Sequence, residues 1–401
     1  MVTLFCICLA AIVWVYFGYP LTLHLGLLAR RRPFEHGGDR PPVSVIIAAR
    51  NEEPSIQAKL ENVLASDYPR ERIEILVGSD GSSDRTEDIV RQFAAEGVGL
   101  ISFPRQQGKS AMQNGLAAAA SGEILVFTDA DCLFSPGALG CIVGNFADAG
   151  VGLVTARPRY ENATETSVTQ NESLYLRYET WLRGQESDRG ILAMASGSLF
   201  AMRRSLWRPL DPNLGDDFAF PLGVAEAGMR NVLEPRATAL TRLSQNQARS
   251  MLRMKVRIIS KDLRALLAHR ALLNPVRHGA LAVGLWSHKF LRWLAPYALL
   301  GMLASNLWLV GQPCFRAALA LQAAFYLCAL AGFAWRGRAL GFPWSLPMSF
   351  CLVNLAALLG TLKCFTPAGS GRWEPERKGP VAARTMETAT HSREWAPRGW
   401  K

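Results

Sequence analysis

Several signatures that would fix a function at once are missing from this chain. Its eight cysteines form no CxxC pair and keep no regular spacing, which argues against a thiol-based metal site or disulfide framework. Cys6, Cys8, Cys328, Cys351 and Cys364 fall within or beside apolar segments and read as small apolar residues of a reducing compartment. No internal repeat occurs. The triplet Gly108-Lys109-Ser110 lacks the earlier glycine that a phosphate-binding P-loop requires. No soluble module gathers basic residues and aromatics together, so nucleic acid is not the expected partner.

What the chain does have is length, cationic charge and long apolar runs. With 401 residues it can bury a substantial core, and its net charge of +11 comes from 44 Lys+Arg against 33 Asp+Glu. Much of the excess lies in short runs beside apolar stretches, at Arg30-Arg31-Arg32, Arg336/Arg338 and Arg372/Arg377/Lys378. That placement suits an anionic membrane surface.

Residues 1–30 read as an uncleaved spanning helix, apolar from Leu4 to Leu28 and closed by the three arginines. The positive-inside rule then assigns the arginines and the domain after them to the cytoplasm, in a multi-pass protein of the cell inner membrane. Between residues 41 and 272 short apolar runs alternate with helical stretches. "VSVIIAA", "IEILVGS", "VGLISF", "EILVFTD" and "VGLVTA" are continuous rather than alternating, as strands buried on both faces are. The intervening helices imply an α/β fold, a mostly parallel sheet covered on both faces.

Over 277–366 an interfacial helix at 285–294 precedes three apolar pieces of bilayer length, 293–311, 317–335 and 342–362. About three C-terminal crossings are expected. Three would leave the basic tail, 367–401, outside, and two would leave it inside.

In a parallel sheet the ligand site lies beyond the carboxyl ends of the strands. Arg50 and Glu52 follow the first strand, Asp80 ends the second, and Asp129 and Asp131 follow the fourth. Two carboxylates one residue apart suit a hard divalent cation, Mg²⁺ or Mn²⁺, that arrives with a nucleotide diphosphate. Asp131 would equally cap the turn before Ser135-Pro136-Gly137, and Glu52 the first turn of a helix. Asp84 fits a helix cap, whereas Asp80 is better placed for base or ribose. Lys109 opens a helix and can counter phosphate or carboxylate charge.

Taken together, "VSVIIAARNEE", "SDGSSDRT", "QGKSAMQNG", "FTDAD", "ASGSLFAMRR" and "GDDFAF" resemble an inverting glycosyltransferase of family 2 with the GT-A fold. The resemblance is to the membrane-bound branch that includes hyaluronan, poly-N-acetylglucosamine and cellulose synthases. It implies Arg50 and Glu52 near the nucleotide, Asp80 on uridine with Lys109 beside it, and Asp129 and Asp131 on the metal diphosphate. It makes Asp217 the catalytic base, with Asp216 the neighbour that could be mistaken for it. Ser196 and Gly197 would bring backbone close to the acceptor sugar. Arg253 and Arg257 would contact diphosphate or the membrane surface, although "QARSMLRMKVRIIS" matches the polymer synthases' QxxRW-like signature only at an arginine. The implied partners are a nucleotide-sugar donor, a glycan or lipid-linked acceptor, membrane lipid and envelope-polysaccharide export proteins. Rival readings are a nucleotidyltransferase or nucleotide-sugar hydrolase on a similar sheet, and a non-catalytic or transport-associated membrane scaffold.

Overall fold

A computed structural model describes residues 1–162, 167–242, 248–334 and 344–366. The 367–401 tail, the Arg336/Arg338 loop and Gln247 of the "QARS" stretch lie outside the described residues. The chain divides into two compact units. The described residues of Met1–Arg31, Asn162–Arg189 and Gln245–Pro367 form one, and those of Arg32–Glu161 and Gly190–Ser244 form the other.

In the second unit the described residues form an eight-stranded sheet. Its strands are β1 (Val43–Ala49), β2 (Ile73–Asp80), β3 (Val98–Phe103), β4 (Ile124–Asp129), β5 (Leu133–Phe134), β6 (Val151–Tyr160), β7 (Leu199–Arg203) and β8 (Arg230–Thr241). The order is β3-β2-β1-β4-β7-β6-β8-β5. The five expected strands all form. β1, β2, β3 and β4 are mutually parallel, and every residue of β1 is buried because strands flank it on both sides.

The other half of the sheet departs from the parallel expectation. β7 runs antiparallel to both β4 and β6, β5 runs antiparallel to β8, and β6 pairs in parallel with β8. The sheet is therefore mixed. An apolar run reports burial on both faces and says nothing of strand direction, so the mostly parallel expectation rested on the intervening helices alone. β8 escaped notice because Pro235 interrupts it. The proline falls in an irregularity where Ala156 pairs with Glu234 but Arg157 pairs with Thr238, and a residue without an N–H is tolerated at such a bulge.

Among the described residues of the first unit three helices are long and apolar enough to cross a membrane: Val2–His24, Pro313–Ala334 and Ser345–Cys364. Two C-terminal candidates thus replace the three expected. Helix Leu291–Trp308 falls short because Arg292, Pro296, Ser305 and Asn306 interrupt its apolar run. The stretch expected to lie in the interface buries Ser287 and His288. His288 has both ring nitrogens on carboxylates, Nδ1 at 2.7 Å from Glu186 Oε1 and Nε2 at 3.1 Å from Glu179 Oε2. Arg292 pairs with Glu179, and the buried Tyr19 hydroxyl donates to Glu186 Oε1 at 2.6 Å. Buried charges persist when they are paired in this way.

Candidate active site

The site is built at the ends of β1, β2 and β4, neighbours in the sheet. Arg50, just past β1, donates from Nη1 to the backbone carbonyl of Asp80 at 2.6 Å. The Asp80 carboxylate is fully buried. It accepts the N–H of Gln107 at 2.6 Å and the N–H of Gly108 at 3.0 Å. Gly108 has φ 95°, a conformation that glycine adopts without strain, and it turns both amides toward the carboxylate. Asp80 thereby shapes the loop before helix Lys109–Ala119, and each of its oxygens keeps a lone pair for a ligand.

Asn51 takes a left-handed φ of 52°. Its side chain accepts the N–H of Ser83, and the N–H of Glu52 donates to Thr86 Oγ1 at 2.8 Å. Asp84, expected as a helix cap, lies one residue before the cap position, Arg85, and accepts the N–H groups of Thr86 and Glu53. Glu52 is half-buried beside this joint.

The structure places Lys109 between two carboxylates, with Nζ 2.9 Å from Asp129 Oδ1 and 3.1 Å from Asp216 Oδ2. Gln113, one turn later on the same helix face, donates to Asp216 Oδ2 at 2.8 Å. Burial opposes ionisation of Asp216, but the Lys109 ammonium and the Gln113 hydrogen bond outweigh it and hold its carboxyl below the usual range. Burial likewise opposes the charge on Lys109, and Asp129 and Asp216 more than offset it and raise its pKa.

Asp216 and Asp217 open helix Asp216–Glu226 and their side chains diverge. Asp217 faces the loop that carries Ser196 and Gly197: a methyl group at Gly197 would lie 3.8 Å from Asp217 Oδ2. Pro221 explains how the loop is attached. Lacking an N–H, it cannot bond to the carbonyl four residues earlier, and that carbonyl, Asp217 O, instead accepts the N–H of Ala195 at 2.7 Å. The loop is held from the sheet side as well. Ser196 N donates to Thr155 Oγ1 at 2.8 Å, and Ser198 O accepts Thr128 Oγ1 at 2.8 Å. Asn114 pins the segment before helix Asp216–Glu226 through both backbone groups of Leu210.

Asp129, the last residue of β4, and Asp131, on the turn after it, are half-buried. Among the described residues no group of three or more His, Cys, Asp or Glu is assembled for a metal. Two carboxylates fit a hard cation whose remaining ligands are phosphate oxygens rather than an all-protein cage. Arg253 is exposed and Arg257 half-buried on helix Ala248–Ala268, which belongs to the other unit.

Sequence reasoning missed two contributors. Gln113 was legible from its four-residue spacing to Lys109. Lys59 is fully buried, and its Nζ donates to Thr128 Oγ1 at 2.8 Å and to Cys132 O at 2.7 Å. It also lies 3.7 Å from the centre of the Phe134 ring. Burial pushes its pKa down to about 8 against the pull of Cys132, Asp129 and Asp131. The signal was its position three residues after Ile56 and four before Val63, on the apolar face of helix Ile56–Leu64.

Known proteins show the same arrangement of sequence and fold. A family model described as glycosyl transferase family 2 matches residues 44–209. The probable glycosyltransferase YdaM of Bacillus subtilis is 31% identical over 246 residues, covering 56% of this chain and 58% of its own. A β-monoglucosyldiacylglycerol synthase of Trichormus variabilis is 30% identical over 184 residues, covering 44% of this chain and 39% of its own. The chain thus spans about half the length of the curated relatives it matches. Among solved structures, the mannosyltransferase PcManGT from Pyrobaculum calidifontis, in complex with GDP-Man and Mn²⁺, superposes with a TM-score of 0.67 at 24% identity. The match covers 90% of this chain and 98% of that one. Residues 44–209 thus match the family 2 glycosyltransferase model on a mixed GT-A-like sheet, in a chain that also has helices long and apolar enough to cross a membrane.

Proposed function

We propose that this chain moves a sugar from a nucleoside-diphosphate sugar, with a UDP-sugar as the first donor to test, onto a membrane-associated glycan or lipid acceptor with inversion. The observation that carries the reading is the double attachment of the 195–198 loop, to Asp217 on one side and to the strand ending in Asp129 on the other. Acceptor and donor groups then share one frame.

Asp217 accepts the proton of the acceptor hydroxyl, whose oxygen attacks the anomeric carbon from the face opposite the diphosphate. The bond from that carbon to the diphosphate oxygen breaks, and the nucleoside diphosphate leaves with the electron pair. No covalent enzyme intermediate forms. Lys109 keeps a positive charge at Asp129, beside the diphosphate site, and holds Asp216 away from the acceptor. Asp129 and Asp131 would hold a Mg²⁺ or Mn²⁺ ion, which when bound neutralises charge on the leaving diphosphate.

A lipid or glycan acceptor is supported by the spanning helices and by a relative whose name specifies a glycosylated diacylglycerol product. Arg30-Arg31-Arg32, directly after the first candidate span, supports a catalytic unit on the cytoplasmic face of the inner membrane, in cell-envelope polysaccharide or glycolipid synthesis. The test is to incubate protein in nanodiscs with membrane lipid extract, Mn²⁺ or Mg²⁺ and radiolabelled UDP- or GDP-sugars, then separate lipid-soluble from polymeric product. Label in the lipid phase from one donor is the expected result. Label in neither phase from any donor would overturn the reading.

A further inference from the structure

Lys59 is one of the largest fully buried side chains of the chain, on a helix that carries none of the motif residues. An ammonium without water must find fixed acceptors, and Lys59 finds two that bracket the carboxylate turn. Thr128 lies immediately before Asp129, and Cys132 immediately after Asp131. The Phe134 ring supplies a third, weaker partner 3.7 Å away.

Thr128 spends its own proton elsewhere. Its hydroxyl donates to Ser198 O at 2.8 Å, so an unbroken path runs from Lys59 Nζ through Thr128 Oγ1 to the loop that faces Asp217. Hydrogen-bond chains of this kind polarise one another in a low-dielectric interior.

We propose that Lys59 is a positioning residue for transfer: its ammonium fixes the Thr128–Cys132 turn that presents Asp129 and Asp131 and, through Thr128, sets the position of the Ser196–Ser198 loop relative to that turn. The assignment rests on the glycosyl-transfer reading. Lys59 touches neither substrate nor cation. It acts as partners behind a metal ligand do, by orienting the groups that make contact.

Two substitutions separate its two connections. Lys59→Met keeps an unbranched apolar stem, one atom shorter, and removes both donated bonds. Thr128→Val keeps the buried ammonium on Cys132 O but removes both its bond to residue 128 and the link onward to Ser198. Mn²⁺ binding is followed by the electron paramagnetic resonance of the free ion, with UDP or GDP present, alongside kcat and KM per folded molecule. Lys59→Met is expected to weaken Mn²⁺ binding about tenfold and to lower kcat by a similar factor. Thr128→Val is expected to leave Mn²⁺ affinity within twofold while lowering kcat and raising the acceptor KM, and it carries the test alone if Lys59→Met does not fold. If every foldable variant keeps Mn²⁺ affinity, kcat and acceptor KM within twofold of the unsubstituted protein, the assignment is wrong. If the unsubstituted protein binds no Mn²⁺ with either nucleotide and releases none from any sugar donor, the transfer reading fails, and the Lys59 assignment falls with it.

Discussion

Asp129 and Asp216 share one ammonium, Lys109 Nζ, at 2.9 Å and 3.1 Å. That contact ties Asp216 to Asp129 and leaves Asp217 beside Gly197, which under the proposed transfer divides the work of the adjacent aspartates.

Asp217→Asn is therefore expected to lower kcat by about 10²–10⁴, the usual contribution of a general base, with Mn²⁺–nucleotide affinity unchanged. Asp216→Asn should instead release Lys109 and weaken donor binding as well as turnover. Steady-state kinetics with nucleotide titrations on both variants check this. Equal and selective loss of kcat in both would contradict the division.

Pro221 frees the Asp217 carbonyl for Ala195. Pro221→Ala restores an N–H that draws this carbonyl back into the helix, so the variant is expected to melt no lower than the parent. Small displacements near reacting atoms are costly, and kcat should fall by about tenfold or more, with donor KM unchanged. Melting and kinetics of the one variant decide it.

Lys59 gives stability a defined pH dependence. Its folded pKa, about 8, lies below its ordinary 10.5, so between these values the unfolded chain holds a proton that the folded chain has released. Stability from this group is lowest below pH 8 and rises with pH across the window, by up to about 1.4 kcal/mol per unit. Lys59→Met removes that slope. Melting curves of both proteins across the window are expected to move in the parent's favour as pH rises.

In the helical unit, His288→Leu would leave the buried carboxylates of Glu179 and Glu186 without their shared partner. The expected cost is about 3–5 kcal/mol, with part recovered by adding Glu186→Gln. Denaturant midpoints in mixed micelles measure both.

The parallel half of the sheet was legible because its strands are unbroken apolar runs, and its motif carboxylates could be placed because strand ends mark the crevice. Antiparallel β7 and bulged β8 were not legible, since direction leaves no trace in an apolar run and Pro235 disguises a strand. The sequence marks Lys109 as a partner for phosphate or carboxylate, and in the fold its carboxylates are Asp129 and Asp216. Choosing Asp216 required knowing how two distant segments meet. Leu291–Trp308 looked like a span by length, but Arg292 is committed to Glu179.

The proposed transfer has Asp217 as base and a metal-bound nucleotide sugar as donor. The most direct measurement is release of UDP or GDP by purified protein in nanodiscs with membrane lipid extract, across a panel of sugar donors, with and without chelator, beside Asp217→Asn. Release from one donor that stops on chelation and is lost in Asp217→Asn is the expected result. Release that survives both, or none from any donor, would contradict the account.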